Sequence, residues 1–369
     1  MSVVPTQLIS AQQAQEARRV LIINVTRIGD TVLATPAVRA IAKFFPNATL
    51  TVLGHPKRVQ VLENIPYIQR TGGIDKRAAL LRGWRDVFVG AEYDWAFVWR
   101  NDEPLVRYAL RKARHVVAHR QQDARLNTKL FAAVDRIADN KVHAVAWALS
   151  LPKAVGIPAN GFQLDYCVTH AEVGSARRKL RADFPAAKGP FIGMQVASFA
   201  TKSYRDWPIE NFIALAKKVA DDNDDARFVL YGAASDQARI ATLTAALPGK
   251  AKSYAGQFSL RETVAMMACT DLYIGVDTGP THLFSALRKP MVVLYHPSLP
   301  SGIYKPLEAP ALYVIDHPRS GPDATSDIPM GEISVNSVWQ AVRAALRSEP
   351  SNLPGLPAIG IYADSQNLR

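Results

Sequence analysis

The sequence predicts a two-domain α/β protein in which helices cover mainly parallel sheets. Apolar runs of strand length alternate with amphipathic helical segments, the pattern typical of such sheets. The alternation occurs twice, on either side of a polar stretch at residues 174–188, and 369 residues exceed what one core usually holds. The predicted divisions are a polar amino-terminal extension at 1–17, a first domain at 18–180, a second domain at 181–334, and a carboxyl-terminal helix and tail at 335–369.

The first series opens on the apolar run VLIINV at residues 20–25, which predicts a strand buried on both faces of a parallel sheet. A glycine-bearing turn leads to a helix predicted over 31–44, which ends before Pro46. A strand at 49–53 then completes a βαβ unit, whose connection is expected to be right-handed. The remaining elements of this series are strands at 95–99 and 115–118 and a helix at 142–150 that ends at Leu151-Pro152.

The second series repeats the alternation after Gly189. Its strand candidates are the apolar runs at 191–196, 227–232, 272–276 and 291–295. Its helix candidates have one apolar face each and lie at 209–221, 260–269, 281–287 and 335–346. The tail beyond the last helix carries proline and serine and is expected to be unstructured.

Composition and charge restrict the class of protein. Hydrophobic residues make up 48% and charged residues 21%, as in ordinary globular proteins. The formal net charge of +12 favours an anionic partner. The sequence shows neither a signal-peptide pattern nor an apolar run of transmembrane length, so a cytoplasmic location is expected. Cys167 and Cys269 lie in or beside apolar runs and are interpreted as buried thiols.

The segment DTGPTH at residues 277–282 follows one predicted strand and opens a helix. The backbone around Gly279, Thr281 and His282 is therefore expected to form an anion site, because a helix amino terminus leaves N–H donors unpaired. Asp277 ends its strand, at the sheet edge where ligands of such folds bind. A purely structural alternative is that Asp277 or Thr278 caps the helix. His282 is expected to pack against or orient a neighbour rather than to bind a metal.

A second strand–turn–helix junction lies at residues 26–31 and contains Gly29 and Asp30. Asp30 is either a helix-capping residue or a general base that is ionised at neutral pH. Each domain thus has one junction with a glycine and an aspartate. Two sheets with opposed carboxyl edges would bring both junctions to one cleft.

Four motifs resemble those of the ADP-heptose:lipopolysaccharide heptosyltransferases, glycosyltransferase family 9. They are VLIINVTRIGDTVLATPAVR at 20–39, WPIENF at 207–212, LRETV at 260–264 and GVDTGPTHL at 275–283. The resemblance covers roughly residues 19–345 and agrees in the order and context of the motifs.

This resemblance implies a GT-B fold, with two Rossmann-like domains facing a central cleft. It also implies inverting, metal-independent transfer of a heptose to a lipopolysaccharide core or related glycan, with an ADP-sugar as donor substrate and no cofactor. Asp30 matches the catalytic base, and Asp277 matches the residue that contacts the donor sugar. Donor contacts are expected from Asp277, Thr278, Gly279, Pro280, Thr281, His282, Arg205, Lys202, Gly232 and Ala233. Acceptor contacts are expected from Thr26, Arg27, Gly29, Arg100 and Arg120.

The amino-terminal half carries a basic stretch that suits an anionic glycolipid or glycan, and the inner face of the inner membrane is a further candidate surface. Its members are Arg100, Arg107, Arg111, Lys112, Arg114, Arg120, Arg125 and Lys129. The alternative is a solvated basic face; nucleic acid is not expected, since no recognised binding module accompanies the charge. Asp222-Asn-Asp224 resembles a metal-binding DxD but is interpreted as a solvated turn. His296 stands where the family usually has a turn of small residues.

Three other functions stay open at this stage. A sugar-nucleotide epimerase shares the architecture but needs further acid and base residues. A non-catalytic nucleotide-sugar-binding protein would bind a donor without using Asp30. A dinucleotide-dependent oxidoreductase is disfavoured, because no GxGxxG turn follows the first strand.

Overall fold

The computed structural model describes residues 7–85, 92–138, 141–347 and 361–362. The chain forms two compact units, Met1–Asp165 and Tyr166–Arg369. Each contains a six-stranded sheet with its own apolar core.

All strands of the first sheet run parallel. They are β1 (Arg19–Asn24), β2 (Thr49–Gly54), β3 (Arg70–Gly73), β4 (Tyr93–Val98), β5 (Ala113–His119) and β6 (Ala132–Val134). The spatial order is β3-β2-β1-β4-β5-β6. The strand order therefore reverses between β1 and β4, and in open α/β sheets ligands bind outside the carboxyl ends of the strands at that point.

Helices cover this sheet. They are α1 (Ala11–Glu16), α2 (Ile28–Leu33), α3 (Thr35–Phe44), α4 (Lys76–Arg85), α5 (Glu103–Lys112), α6 (Ala124–Asn127) and α7 (Ala144–Lys153). Residues 7–17 of the predicted amino-terminal extension are part of this unit, because the Ile9 amide donates to the carbonyl oxygen of Val155 at 3.0 Å and Ile9 and Ala14 are buried.

The helix predicted over residues 31–44 is two helices, α2 and α3, separated by Ala34. Pro36 has no N–H to donate to the carbonyl oxygen of Val32, four residues earlier. The Thr35 hydroxyl donates to that oxygen at 2.7 Å instead. The break is therefore a local consequence of the Thr35-Pro36 pair.

Proline has the opposite outcome in α7. The sequence predicted that Leu151-Pro152 ends this helix, and that prediction is wrong, since α7 continues to Lys153. The carbonyl oxygen of Ala148, which a residue other than Pro152 would have bonded, accepts from Trp99 Nε1 at 2.9 Å. A tertiary donor thus replaces the missing helical one.

The second sheet has the same parallel order as the first. Its strands are β8 (Phe191–Gln195), β9 (Arg227–Tyr231), β10 (Ala251–Ser253), β11 (Leu272–Val276), β12 (Met291–Tyr295) and β13 (Leu312–Asp316). They are arranged as β10-β9-β8-β11-β12-β13, so the order reverses between β8 and β11. The helices of this unit are α8 (His170–Asp183), α9 (Ile209–Asp222), α10 (Gln237–Ala245), α11 (Leu260–Ala268), α12 (Gly279–Ser285), α13 (Ser301–Tyr304) and α14 (Val335–Arg347). These two doubly wound sheets are those of the predicted fold class.

The boundary between the units lies earlier than the predicted division at residue 180. Helix α8 belongs to the second unit, where Glu172 pairs with Arg261 of α11 at 2.6 Å and Asp183 accepts from Tyr254 at 2.8 Å. Residues 166–180, assigned from the sequence to the first domain, are therefore part of the second.

Residues 361–362 are the part of the carboxyl-terminal tail beyond α14 that the structure describes. Ile361 and Tyr362 form a short strand that pairs in parallel with β7 (Val168–Thr169), whereas the tail was expected to be unstructured. Across the described ranges, no helix has both the length and the apolar composition needed to cross a membrane.

Candidate active site

Asp30 lies in the first turn of α2, directly beyond the carboxyl end of β1. The turn before it is fixed by a hydrogen bond between the Thr26 and Thr31 hydroxyls at 3.1 Å, and the Thr31 hydroxyl donates to the carbonyl oxygen of Arg27 at 2.8 Å. Arg58 donates to the carbonyl oxygen of Thr26 at 2.9 Å. Thr26 therefore builds the junction, while the carboxylate of Asp30 stays 34% exposed.

Arg100 is the charged neighbour of Asp30 within this unit. It follows β4, across the point of strand-order reversal, and its NH2 lies 3.6 Å from Asp30 Oδ2. Its guanidinium carbon also lies 5.6 Å from the ring centroid of Trp147. The structure thus brings together two of the predicted site residues, the proposed base and one acceptor contact.

The rest of the basic stretch is largely matched by carboxylates. Arg120 lies 2.6 Å from Asp135 and also donates to the carbonyl oxygen of Ala133. Further pairs of this kind are Arg107 with Asp123, Lys112 with Glu92, and Arg114 with Asp94. Arg120 is therefore paired within its own unit, and the stretch is not a uniform cationic surface.

Asp277 occupies the corresponding position in the second unit, beyond β11, and is only 8% exposed. Its amide donates to the carbonyl oxygen of Leu294, and its Oδ1 lies 3.6 Å from His282 Nε2. His282 is buried as well. Burial raises the pKa of neighbouring Tyr295 well above its ordinary value, and the charge of Asp277 adds to this effect.

Thr281 has a structural role in this junction. Its amide donates to the carbonyl oxygen of Thr278 at 3.1 Å, and its hydroxyl donates to that of Val276 at 2.8 Å. The hydroxyl also lies 3.0 Å from Tyr273 Oη. The prediction that the Thr281 amide is an open donor is therefore wrong. After the turn at Thr278, Gly279 and Pro280 begin α12, two residues before the predicted start at residue 281.

Lys202 and Arg205 lie in a 3₁₀ helix, Ala200–Arg205, that follows β8. Lys202 Nζ and the Arg205 guanidinium carbon each lie 5.6 Å from the ring centroid of Tyr204. Burial opposes ionisation of Tyr204, but the hydrogen bond and charge of Arg205, with Lys202, lower its pKa below the ordinary value. Both predicted cations therefore lie against the same tyrosine, near the strand-order reversal of the second sheet.

His296, the residue that departs from the family pattern, lies beside these cations. Its ring is 4.9 Å from that of Tyr204, its Nε2 lies 3.0 Å from the carbonyl oxygen of Ile328, and its Nδ1 lies 2.8 Å from the Ser298 hydroxyl. Burial lowers the pKa of His296, and nearby Arg205 acts in the same direction. Sequence reasoning missed Tyr204, although its position between two candidate cations was a usable signal.

Gly232 and Ala233 form the turn after β9. The Ala233 amide donates to Asp236 Oδ2 at 2.8 Å, and a Cβ at Gly232 would lie 2.7 Å from Ile240 Cδ1. A side chain at position 232 would therefore require the Ile240 side chain to move.

Asp222 and Asp224 lie exposed at the end of α9 and in the turn that follows, where Asp224 pairs with Lys250. This is the predicted solvated turn. Within the described part of the chain, no three His, Cys, Asp or Glu side chains are grouped so that they could hold a metal ion.

Comparison with protein families gives a match over most of the second unit and part of the first. The model of glycosyltransferase family 9 (heptosyltransferase) matches residues 105–328, more than half of the chain. Lipopolysaccharide heptosyltransferase 2 of Salmonella typhimurium is 32% identical over 98 residues, which are 26% of this chain and 28% of that protein. The aligned part thus spans about a quarter of either sequence.

Two solved structures resemble the whole chain more extensively. A family 9 glycosyltransferase from Veillonella parvula has a TM-score of 0.77 at 19% identity, covering 90% of this chain and 98% of the other. The ADP-heptose lipopolysaccharide heptosyltransferase II of E. coli has a TM-score of 0.70 at 20% identity, covering 89% and 98%. At this level of identity the likeness establishes the shared two-sheet fold.

Proposed function

Because the chain belongs to glycosyltransferase family 9, we propose that it transfers a heptose from ADP-heptose to a lipopolysaccharide core or a related glycan, with inversion and without a metal. The observation that carries the proposal is Asp30, a half-exposed carboxylate at the strand-order reversal of the first sheet with Arg100 beside it. The ADP-heptose named for the E. coli relative supports the choice of donor.

In the proposed reaction, Asp30 takes the proton of the acceptor hydroxyl while that oxygen forms a bond to the anomeric carbon. The bond from this carbon to the β-phosphate oxygen breaks, and its electron pair leaves with ADP. Attack on the face opposite the leaving group gives inversion, as in inverting glycosidases. The Arg100 guanidinium, whose NH2 lies 3.6 Å from Asp30 Oδ2, is proposed to hold this carboxylate in place.

The second unit is proposed to hold the donor. Lys202 and Arg205 are two cations beside β8, the strand next to β11, from which Asp277 projects. Cations placed at a diphosphate stabilise the charge that accumulates on it as it leaves. Asp277, fixed beside His282, is proposed to accept hydrogen bonds from hydroxyl groups of the donor sugar.

An anionic glycolipid is the proposed acceptor class. The net charge of +12 favours association with an anionic substrate and with an anionic bilayer surface. The proposed place of action is therefore the cytoplasm, at the inner face of the inner membrane.

Substitution Asp30→Asn tests the proposal. The amide cannot accept the proton, so turnover should fall by at least about 10²-fold, the usual contribution of a positioned base. Donor binding, measured by calorimetry with ADP-heptose, should stay unchanged, since the donor is assigned to the other unit. Turnover close to that of the unsubstituted protein would remove Asp30 from the role of base.

A further inference from the structure

The backbone of Arg100 adopts a conformation that is uncommon for a residue with a side chain. Its φ is +73°, in the left-handed region where the Cβ of an L-residue meets steric resistance. Such residues persist only where their surroundings over-determine them, and they cluster at functional sites. The contacts that hold Arg100 in place therefore bear on its role beside Asp30.

Side chains at and after the end of β5 hold the backbone of Arg100 at both of its polar groups. The Arg100 amide donates to His119 Nδ1 at 2.9 Å, and its carbonyl oxygen accepts from Gln121 Nε2 at 3.4 Å. His119 and Gln121 are both buried, at 0% and 4% exposure. The backbone of Gln121 is itself anchored, since its N–H donates to Asn127 Oδ1 and its carbonyl oxygen accepts from Asn127 Nδ2.

The side chain of Arg100 leads from this anchor to the site. Its NH2 lies 3.6 Å from Asp30 Oδ2, and its guanidinium lies over the face of Trp147. The ring of Trp147 is in turn 5.1 Å from that of His119. His119 thus contacts both the backbone of Arg100 and the ring of Trp147, against which the Arg100 guanidinium packs.

We propose that His119 is a positioning residue: by accepting the Arg100 amide hydrogen, it fixes the left-handed backbone that directs the Arg100 guanidinium to Asp30. His119 touches neither substrate nor the reacting atoms and acts only through Arg100. The inference rests on the proposed function of Asp30 and adds the device that places its charged neighbour. It requires Nδ1 of His119 to be unprotonated, since only then is that nitrogen an acceptor.

The test uses a pair of substitutions in the full chain. His119→Phe keeps an aromatic ring against Trp147 but removes the acceptor, whereas His119→Asn supplies an amide oxygen near the position of Nδ1. We expect the kcat of His119→Phe to fall on the order of 10²-fold, because small misplacements of a catalytic geometry have effects of that size. The KM for the donor should stay unchanged, and His119→Asn should recover most of the lost kcat.

The same substitution in an Arg100→Ala background separates positioning from general stability. If His119 acts through the Arg100 guanidinium, His119→Phe lowers kcat no further once that guanidinium is absent. An equal loss in both backgrounds, or an equal loss for Phe and Asn, would overturn the proposal. If His119→Phe does not fold, Gln121→Leu, which releases the Arg100 carbonyl oxygen, replaces it in the cycle.

Asp30→Asn, assayed in parallel, distinguishes the proposed role of Asp30 as base from the proposed positioning role of His119. An active Asp30→Asn protein would refute the proposed base. An inactive Asp30→Asn protein together with a fully active His119→Phe protein would refute the positioning role alone.

Discussion

The two aspartates at the strand ends have different surroundings, and these surroundings suit different tasks. Asp30 is 34% exposed with an arginine 3.6 Å away, so its carboxylate is accessible to an acceptor hydroxyl. Asp277 is 8% exposed beside a buried histidine, so its orientation is fixed. A fixed acceptor suits recognition of a sugar, and an accessible one suits proton transfer.

Substitution Asp277→Ala should weaken donor binding. Hydrogen bonds to a charged group contribute about 1.5–3 kcal/mol, so the Kd for ADP-heptose should rise by roughly tenfold to hundredfold. Isothermal titration calorimetry measures this directly. Asp224→Ala, at an aspartate of the same unit whose side chain is 96% exposed, is the matched control and should leave the Kd unchanged. An unaltered Kd for Asp277→Ala would contradict its assignment.

His296 should make stability depend on pH. Burial lowers its pKa from 6.5, so the folded protein favours the neutral ring while the unfolded chain binds a proton more readily. The stabilisation is complete above pH 6.5 and is lost as the pH falls through the lower pKa of the folded state. Denaturant unfolding between about pH 7.5 and about pH 5 should therefore show a smaller loss of stability for His296→Gln than for the unsubstituted chain.

The control for this experiment is His170→Gln, at an exposed histidine that begins α8. Because the His170 ring is exposed, it is not subject to the burial that acts on His296. If His296→Gln gave the same pH dependence of unfolding as His170→Gln, the neutral buried ring would not be the source of the effect.

At the scale of residues, the sequence identified the junctions but not their partners. Asp30 and Asp277 each follow an apolar run that is evident in the sequence. The left-handed backbone of Arg100 and its bond to His119, 19 residues further along the chain, arise from the pairing of β4 with β5. No local pattern specifies such a contact, because it depends on how the two strand ends align.

At the scale of elements, the strands were predicted most reliably. Runs such as 272–276 and 291–295 coincide with β11 and β12, since strands buried on both faces need apolar residues throughout. Helix α8 was missed within the polar stretch because only three of its residues, Val173, Ala176 and Leu180, are buried. So narrow an apolar face gives little periodic signal.

Glycines in the second sheet make room for buried tyrosines. A Cβ at Gly275 would lie 2.6 Å from Tyr273 Oη, and one at Gly193 would lie 2.7 Å from the same atom of Tyr231. Tyr273 Oη in turn contacts the Thr281 hydroxyl in the Asp277 junction. The packing of the sheet is therefore linked to the position of α12.

Substitution Gly275→Ala should affect both the packing of the second sheet and the position of α12. Overpacking a filled core costs about 1–3 kcal/mol, so the free energy of unfolding should fall by that amount. Displacement of Tyr273 should also weaken donor binding. The matched control is Gly302→Ala, where a Cβ meets nothing within 4 Å, and its stability should stay the same or rise by up to about 1 kcal/mol. Equal effects of the two substitutions would show that the close approach of Tyr273 to Gly275 is unimportant.

At the scale of the whole molecule, the surplus of positive charge and the basic stretch are separate features. The net charge is +12, yet four basic residues of the stretch face carboxylates of their own unit: Arg107, Lys112, Arg114 and Arg120. Composition favours an anionic partner. The location of the surface that meets it could not be predicted, since intramolecular pairing is decided by the fold.

The two units should also be separable in function. The second unit has its own six-stranded sheet and a core drawn from residues between Ile192 and Ala345, and domains with their own core can in principle fold alone. Residues 166–369, produced as a fragment, are therefore expected to unfold cooperatively and to bind ADP-heptose, while lacking transfer because Asp30 is absent. Calorimetry on the fragment measures this, with the Asp277→Ala fragment as the control that should bind more weakly. A cooperatively folded fragment that failed to bind the donor would show that the donor site needs residues of the first unit.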